Sequence, residues 1–194
     1  MTTSLYPPEQ PLVFGYGSLV ACQRRLPGAT GIPAELSGYA RSWEGHYVEV
    51  NGVYVCALTL KKQQNSKILG VLIHDLPEYR ELLEQQEIGY EKVNITNDTY
   101  SPWMPGEKDI ICFIGNNSVI NEAEPVIIKS YLYVILYGYL QTFGEHGVKH
   151  FLQTTDNWNF PIMDDIENPV YPRFIDIPNT ITKWFDNMIE LYSK

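Results

Sequence analysis

Apolar and polar residues alternate in blocks along this chain, and the first block sets the frame. Leu12-Val13-Phe14-Gly15-Tyr16 is an apolar run that breaks at Gly15 and Gly17, with Ser18 and Leu19 just beyond. Such a run predicts a buried strand over Leu12–Tyr16 that ends in a tight bend. Residues 18–25 predict a short helix or turn, closed by Pro27 and Gly28. Ala34–Trp43 and Val53–Leu60 predict strands. The polar stretch Lys61–Ser66 predicts a turn before a further strand, Ile68–His74, so the two runs on either side of it are expected as antiparallel neighbours in a long-looped hairpin. A helix is predicted from Asp75 or Leu76. Pro77 stands in its first turn, Tyr79, Leu82, Leu83 and Gln86 recur at helical intervals, and Gly89 ends it. Strands at Tyr90–Ile95 and Ile110–Ile114 follow, with Pro102–Gly106 as a loop between them.

From Lys129 the period changes. Tyr131, Val134, Ile135, Gly138 and Tyr139 fall at helical spacing within Lys129–Phe143. Glu145–Phe151 predicts a second helix, and Ile181–Tyr192 a last one with Asn179 or Thr180 as its cap. Residues 157–178 are irregular and rich in Asp, Asn and Pro. Strands with one inserted helix, then helices, predict an α+β fold around a closed or strongly curved sheet rather than a doubly wound one. There is no internal repeat. The 194 residues suit one domain over 1–194, with residues 1–10 as a polar, proline-rich lead-in.

Composition narrows the partners. Fourteen basic against 23 acidic residues give a formal charge of −9, and no basic patch stands out, so nucleic-acid binding is not expected. A small anionic ligand remains compatible, because a local nest of amides outweighs a distant field. Cys22, Cys56 and Cys112 are far apart, odd in number and without a CxxC, as expected of thiols in a reducing compartment. The N-terminus lacks the basic and apolar regions of a signal peptide, and no 18-residue apolar run occurs. A cytoplasmic protein without a membrane span is therefore expected. Fourteen tyrosines suit either a core with polar handles or a hydroxyl-lined pocket.

The bend Tyr16-Gly17-Ser18-Leu19 is either an ordinary glycine turn or a small concavity of backbone N–H groups suited to a carboxylate or an oxyanion. Ser18 either caps the turn or bonds to a ligand. The string GYGS is not GxGxxG, and no GK[ST] follows, so a nucleotide site is poorly supported. A second stretch, Glu84-Gln85-Gln86-Glu87-Ile88-Gly89-Tyr90, places Glu87 at a predicted helix C-terminus. The negative end of the helix dipole there favours a raised pKa; the alternative is a solvated surface glutamate. Ser18 does not meet the G-x-S-x-G pattern of a serine hydrolase, and Cys22 suits packing better than nucleophilic work. His146 and His150 share one helix face but lack HExxH and a third ligand, so no metal is expected. Arg41, followed by Trp43, either lines a pocket mouth and grips a carboxylate or ends a strand at the surface. Arg173 has the same ambiguity.

Phe14-Gly15-Tyr16-Gly17-Ser18-Leu19 and Glu87-Ile88-Gly89-Tyr90 resemble motifs of the gamma-glutamylcyclotransferase family. Looser likeness continues through Ser130-Tyr131-Leu132 to Gly138, Phe151-Leu152-Gln153-Thr154-Thr155 and Tyr171-Pro172-Arg173. The resemblance implies a curved, barrel-like mixed sheet with flanking helices. It implies an enzyme that cyclises a γ-glutamyl amide to 5-oxoproline and releases an amine or amino acid, with no cofactor. By position, Glu87 would be the general acid and base, and Gly17, Ser18 and Leu19 would hold the glutamyl end, with Tyr16 shaping the pocket wall. Tyr90 and Arg41 are further pocket candidates. The glutathione-degrading branch reads Arg-Glu-Lys where Gln86-Glu87-Ile88 stands here, so the branch stays open. A γ-glutamylamine or biosynthetic substrate is the enzymatic alternative, and a non-catalytic binding or structural module is the alternative of another class. A monomer is the default, with edge pairing as the route to a small homo-oligomer.

Overall fold

The computed structural model describes residues 11–25, 29–74, 89–104, 108–116 and 124–192. The helix predicted over residues 75–88, and Glu87 within it, lie outside these. The described strands are β1 (Leu12–Gly15), β2 (Gly31–Ser42), β3 (Tyr47–Val50), β4 (Val53–Cys56), β5 (Thr59–His74), β6 (Tyr90–Asn94), β7 (Thr99–Tyr100), β8 (Ile110–Gly115), β9 (Ile127–Ile128), β10 (Thr155–Asp156) and β11 (Ile162–Met163). A 3-10 turn, Ser18–Ala21, runs into the helical turn α1 (Cys22–Arg25). The longer helices are α2 (Lys129–Gln153) and α3 (Asn179–Tyr192).

The main sheet has the order β10-β2-β5-β1-β8-β6, with β7 also paired to β2. β1 lies inside it, antiparallel to β5 and parallel to β8. Its residues are buried along their whole length, which is why the sequence there is continuously apolar rather than alternating. The architecture is α+β, a curved mixed sheet flanked by helices, as the sequence leads one to expect.

One expected hairpin is corrected. The polar stretch Lys61–Ser66 does not turn the chain back, because the runs on both sides of it pair with the same partner, β2. Ser37 pairs with Lys67 and Tyr39 with Lys62, so Gly38 alone stands opposite Gln63–Ser66. The polar residues leave the ladder as a bulge, with Gly38 and Asn65 at positive φ, and β5 continues through it. The hairpin lies earlier. β3 and β4 pair around Asn51-Gly52, whose φ values of 50° and 79° belong to the two-residue turn that this dipeptide favours. The run expected as one strand over Val53–Leu60 is accordingly split at Ala57-Leu58.

α2 packs Leu132, Ile135, Leu136, Tyr139 and Phe151 into the core, and α3 adds Phe185, Met188 and Ile189. The two predicted helices, Lys129–Phe143 and Glu145–Phe151, form the arms of one run broken at Gly144, where φ is 66° and ψ −162°. Gly138 brings α2 against the bend after β1: a Cβ there would lie 2.6 Å from Ala21 N and 2.8 Å from the Val20 carbonyl carbon. No described helix is long and apolar enough to cross a membrane.

Candidate functional site

The bend after β1 forms one wall of a cavity of about 360 Å³. Tyr16, Gly17, Ser18 and Leu19 line it, together with Val48, Glu49 and Val50 of the β3–β4 hairpin, Cys56–Leu58, Tyr90, Phe113, Tyr131, Tyr171, Pro172 and Arg173. Tyr16 is buried and donates its hydroxyl proton to the Phe113 carbonyl at 2.6 Å, tying the bend to β8. Gly17 adopts φ −109°, so a positive φ is not what it provides; a Cβ there would stand 3.3 Å from the Tyr131 hydroxyl oxygen. Ser18 does not cap the 3-10 turn, since the preceding position is Gly17 and no side chain caps it. Instead its Oγ accepts the hydroxyl proton of Tyr171 at 2.9 Å. Tyr90, at the start of β6, packs edge-on against His46 with ring centroids 4.2 Å apart.

The far wall is built by the irregular segment before α3, and one carboxylate fixes it. Asp165 is buried. It accepts from the backbone N–H and the hydroxyl of Ser130, at the start of α2, and from the backbone N–H of Val170 at 2.8 Å. The Ser130 hydroxyl oxygen in turn accepts from the Tyr171 N–H at 3.2 Å. An aspartate in this position satisfies orphan amides at the positive end of a helix. Tyr171 then packs against Tyr131 at 5.0 Å between ring centroids, and Tyr131 meets Trp43 edge-on at 6.0 Å. Arg173 donates from Nε to the Tyr171 hydroxyl oxygen at 3.1 Å, with its guanidinium carbon 5.0 Å from the ring centroid. Among the described residues no carboxylate forms an ion pair with Arg173.

A solved gamma-glutamyl cyclotransferase superposes with a TM-score of 0.57 at 18% identity, over 82% of this chain and 97% of its own. The uncharacterized protein loc79017 from Homo sapiens gives 0.54 at 17%, over the same shares. YkqA from Bacillus subtilis gives 0.51 at 16%, over 76% of this chain and 56% of its own. The chain has the gamma-glutamyl cyclotransferase fold. No protein-family model and no curated protein matches it in sequence, so the likeness is one of fold.

Within this cyclotransferase fold Arg41 stands away from the cavity. It is fully buried and does not end a strand at the surface. Its Nε donates to Thr155 Oγ1, one Nη to the Leu69 carbonyl and the Tyr139 hydroxyl, both at 3.0 Å, and the other Nη to Thr154 Oγ1. The rings of Phe151 and Tyr139 lie 4.9 and 5.3 Å from its Cζ. Neutral acceptors and two aromatic faces thus hold the charge, and burial lowers its pKa, opposed by Tyr139. The Tyr139 hydroxyl lies 2.9 Å from the Tyr16 carbonyl and 2.7 Å from that of Leu69; its single proton serves one at a time. Arg41 therefore acts on the bend through Tyr139, as a support.

The remaining candidates fall outside the cavity or are held inert. His146 and His150 lie 6.1 Å apart between ring centroids on α2, and no described cluster of three His, Cys, Asp or Glu could hold a metal. Burial, with Arg41 and His146 nearby, pushes His150 down to about 4. Cys56 faces the cavity, but burial pushes its thiol up to about 12, so it stays protonated near neutrality. Cys22 is buried and does not line the cavity. Sequence reasoning passed over the hairpin wall, although Asn51-Gly52 between alternating residues was the signal for it. Phe113 and the Tyr131–Tyr171 pairing carry no such local signal, because they meet across long stretches of chain.

Proposed function

We propose that the protein is a gamma-glutamylcyclotransferase-type enzyme, acting as a single domain on a small γ-glutamyl amide without a cofactor. Tyr16, Gly17, Ser18 and Leu19 hold the glutamyl half, and Glu87 is the general acid and base. The observation that carries this reading is the shared cavity: the bend Tyr16–Leu19 and Tyr90 line the same space. Glu87 is three residues from Tyr90, a stretch of chain that spans at most about 11 Å.

The chemistry needs little more. The substrate's α-ammonium gives a proton to the Glu87 carboxylate and becomes an amine. That nitrogen attacks the γ-carbonyl carbon and closes a five-membered ring, placing negative charge on the carbonyl oxygen. As the intermediate collapses, the bond to the departing nitrogen breaks and Glu87 delivers the proton to it, while the surplus proton of the ring nitrogen passes to the regenerated carboxylate and on to the released amine. The products are 5-oxoproline and the free amine. Nucleophile and electrophile belong to one molecule, so holding the reactive rotamer supplies much of the rate.

Liberation of 5-oxoproline from a panel of γ-glutamyl amino acids and amines is the test. Wild type is expected to release it, and Glu87→Gln to lower the rate by about 10²–10⁴-fold. No product from wild type across the panel, or full activity in Glu87→Gln, overturns the assignment.

A further inference from the structure

Gly17 is buried and lines the cavity, and no described group accepts its backbone N–H. A buried N–H without an acceptor costs free energy, so such a donor calls for a water or a ligand. Its direction is decided at the other end of the same peptide. The Tyr16 carbonyl meets the Tyr139 hydroxyl at 2.9 Å, and Tyr139 is fully buried on α2 and does not line the cavity. The described peptide bonds are trans, and across a planar trans peptide the C=O and the N–H point in opposite directions. The Gly17 N–H therefore points away from Tyr139.

Arg41 decides which carbonyl the phenol serves. One of its Nη atoms donates to the Leu69 carbonyl and to the Tyr139 hydroxyl oxygen, each at 3.0 Å. The Leu69 carbonyl is thus already supplied, and the phenol proton is left for Tyr16. Burial pushes the phenol up to about 12, opposed by Arg41, so it is a neutral donor near neutrality. The cation behind it has no carboxylate partner among the described residues. Donors linked in series polarise one another, so a proton given to the Tyr16 carbonyl makes the N–H of the same peptide a stronger donor.

We infer that Arg41 and Tyr139 are positioning residues for the reaction: through the Tyr16–Gly17 peptide they aim the Gly17 N–H into the cavity and strengthen it as a donor to an anionic oxygen of the substrate. This rests on the cyclotransferase reading above. That oxygen belongs either to a carboxylate bound from the start or to the γ-carbonyl as it gains charge during ring closure. In a chain of net charge −9, the relay carries the influence of a cation to the cavity while the guanidinium itself stays sealed from solvent.

The Gly17 amide can be watched directly. With 13C at the tyrosine carbonyls and 15N at the glycines, only Tyr16-Gly17 and Tyr137-Gly138 give a paired NMR signal, and the second, inside α2, serves as reference. 5-Oxoproline, which carries both a carboxylate and the ring carbonyl, is expected to move the Gly17 signal of the full chain. Tyr139→Phe should raise the concentration needed by roughly tenfold and lower kcat/KM by a similar factor. Thr155→Val removes a different acceptor of Arg41, the one on Nε, and leaves the relay in place. It should bind and turn over as wild type does, with thermal unfolding confirming that both variants are folded. Within Tyr139→Phe, a raised KM at unchanged kcat assigns the oxygen to a carboxylate, and a lowered kcat assigns it to the ring-closure oxyanion; both keep the inference. If wild type turns over γ-glutamyl compounds but its Gly17 signal stays still under 5-oxoproline, or if Tyr139→Phe and Thr155→Val weaken binding alike, the inference fails and the cyclotransferase reading stands. If no γ-glutamyl compound is turned over while 5-oxoproline moves Gly17 in wild type and less readily in Tyr139→Phe, the cyclotransferase reading fails and the relay stands as a device for binding alone.

Discussion

At the scale of single residues, the buried Arg41–Tyr139 pair shows how a charge is kept without a counter-charge among the described residues. Every guanidinium nitrogen has a neutral acceptor, and two rings offer their negative faces. Such a site depends on complete satisfaction, because one lost acceptor leaves a buried donor stranded. Tyr139→Phe removes an acceptor from Arg41 and the hydroxyl that faces the Tyr16 carbonyl. We expect a loss of roughly 1–3 kcal/mol in chemical denaturation, together with a weaker hold on the bend. An unchanged midpoint would show that water replaces the phenol. The sequence marked Arg41 as worth attention but put its side chain at a pocket mouth or a surface. What it lacked was Tyr139, Thr154 and Thr155, all about a hundred residues away. The position of Tyr16 and Ser18 on a bend, by contrast, was legible, since it follows from a local break in an apolar run.

At the scale of elements, the close approach of α2 to the 3-10 turn Ser18–Ala21 decides where the bend sits. Gly138 makes it possible, since any Cβ would meet main-chain atoms that have no rotamer to escape into. Gly138→Ala is therefore expected to cost roughly 1–3 kcal/mol through overpacking and to lower 5-oxoproline release by moving the Tyr16–Leu19 wall. Thermal unfolding and kcat/KM measured on the same preparation check both parts; a variant with a lowered midpoint and full activity would separate the contact from the site. Gly138 was legible only as one member of a helical pattern. Its role depends on a partner more than a hundred residues earlier, which no periodicity reports. The β5 bulge was hidden for a related reason: a polar hexapeptide between apolar runs has the signature of a turn, and only the shared partner β2 reveals that the strand continues. Among the elements that period did report, Leu12–Gly15, β6, β8 and α3 lie close to their expected places, whereas β3 and the two-residue strands β7, β9, β10 and β11 were not expected.

At the scale of the whole molecule, the fold responds to acid through its histidines. His150 is held at about 4 and His46 is also lowered, both chiefly by burial. The folded chain thus keeps these imidazoles neutral, while the unfolded chain protonates them near 6.5. Between pH about 6.5 and about 4 the unfolded state binds more protons, so stability rises with pH through that window and levels off above it. Melting temperature is expected to fall as pH is lowered from about 7 to about 4.5, and His150→Gln should make the descent shallower. Identical slopes in wild type and variant would assign the acid response to other groups. The α+β class and the curved sheet were accessible from element order alone, because strands followed by helices leave few layer arrangements.

The clasp made by Asp165 has one more implication. A single side chain secures the opening amide of the longest helix and, through Ser130, the main chain that bears Tyr171. Fraying of that helix start and loosening of the cavity wall are then the same event, not two. The hollow inherits its permanence from the core, and its shape lasts as long as the helix end stays wound.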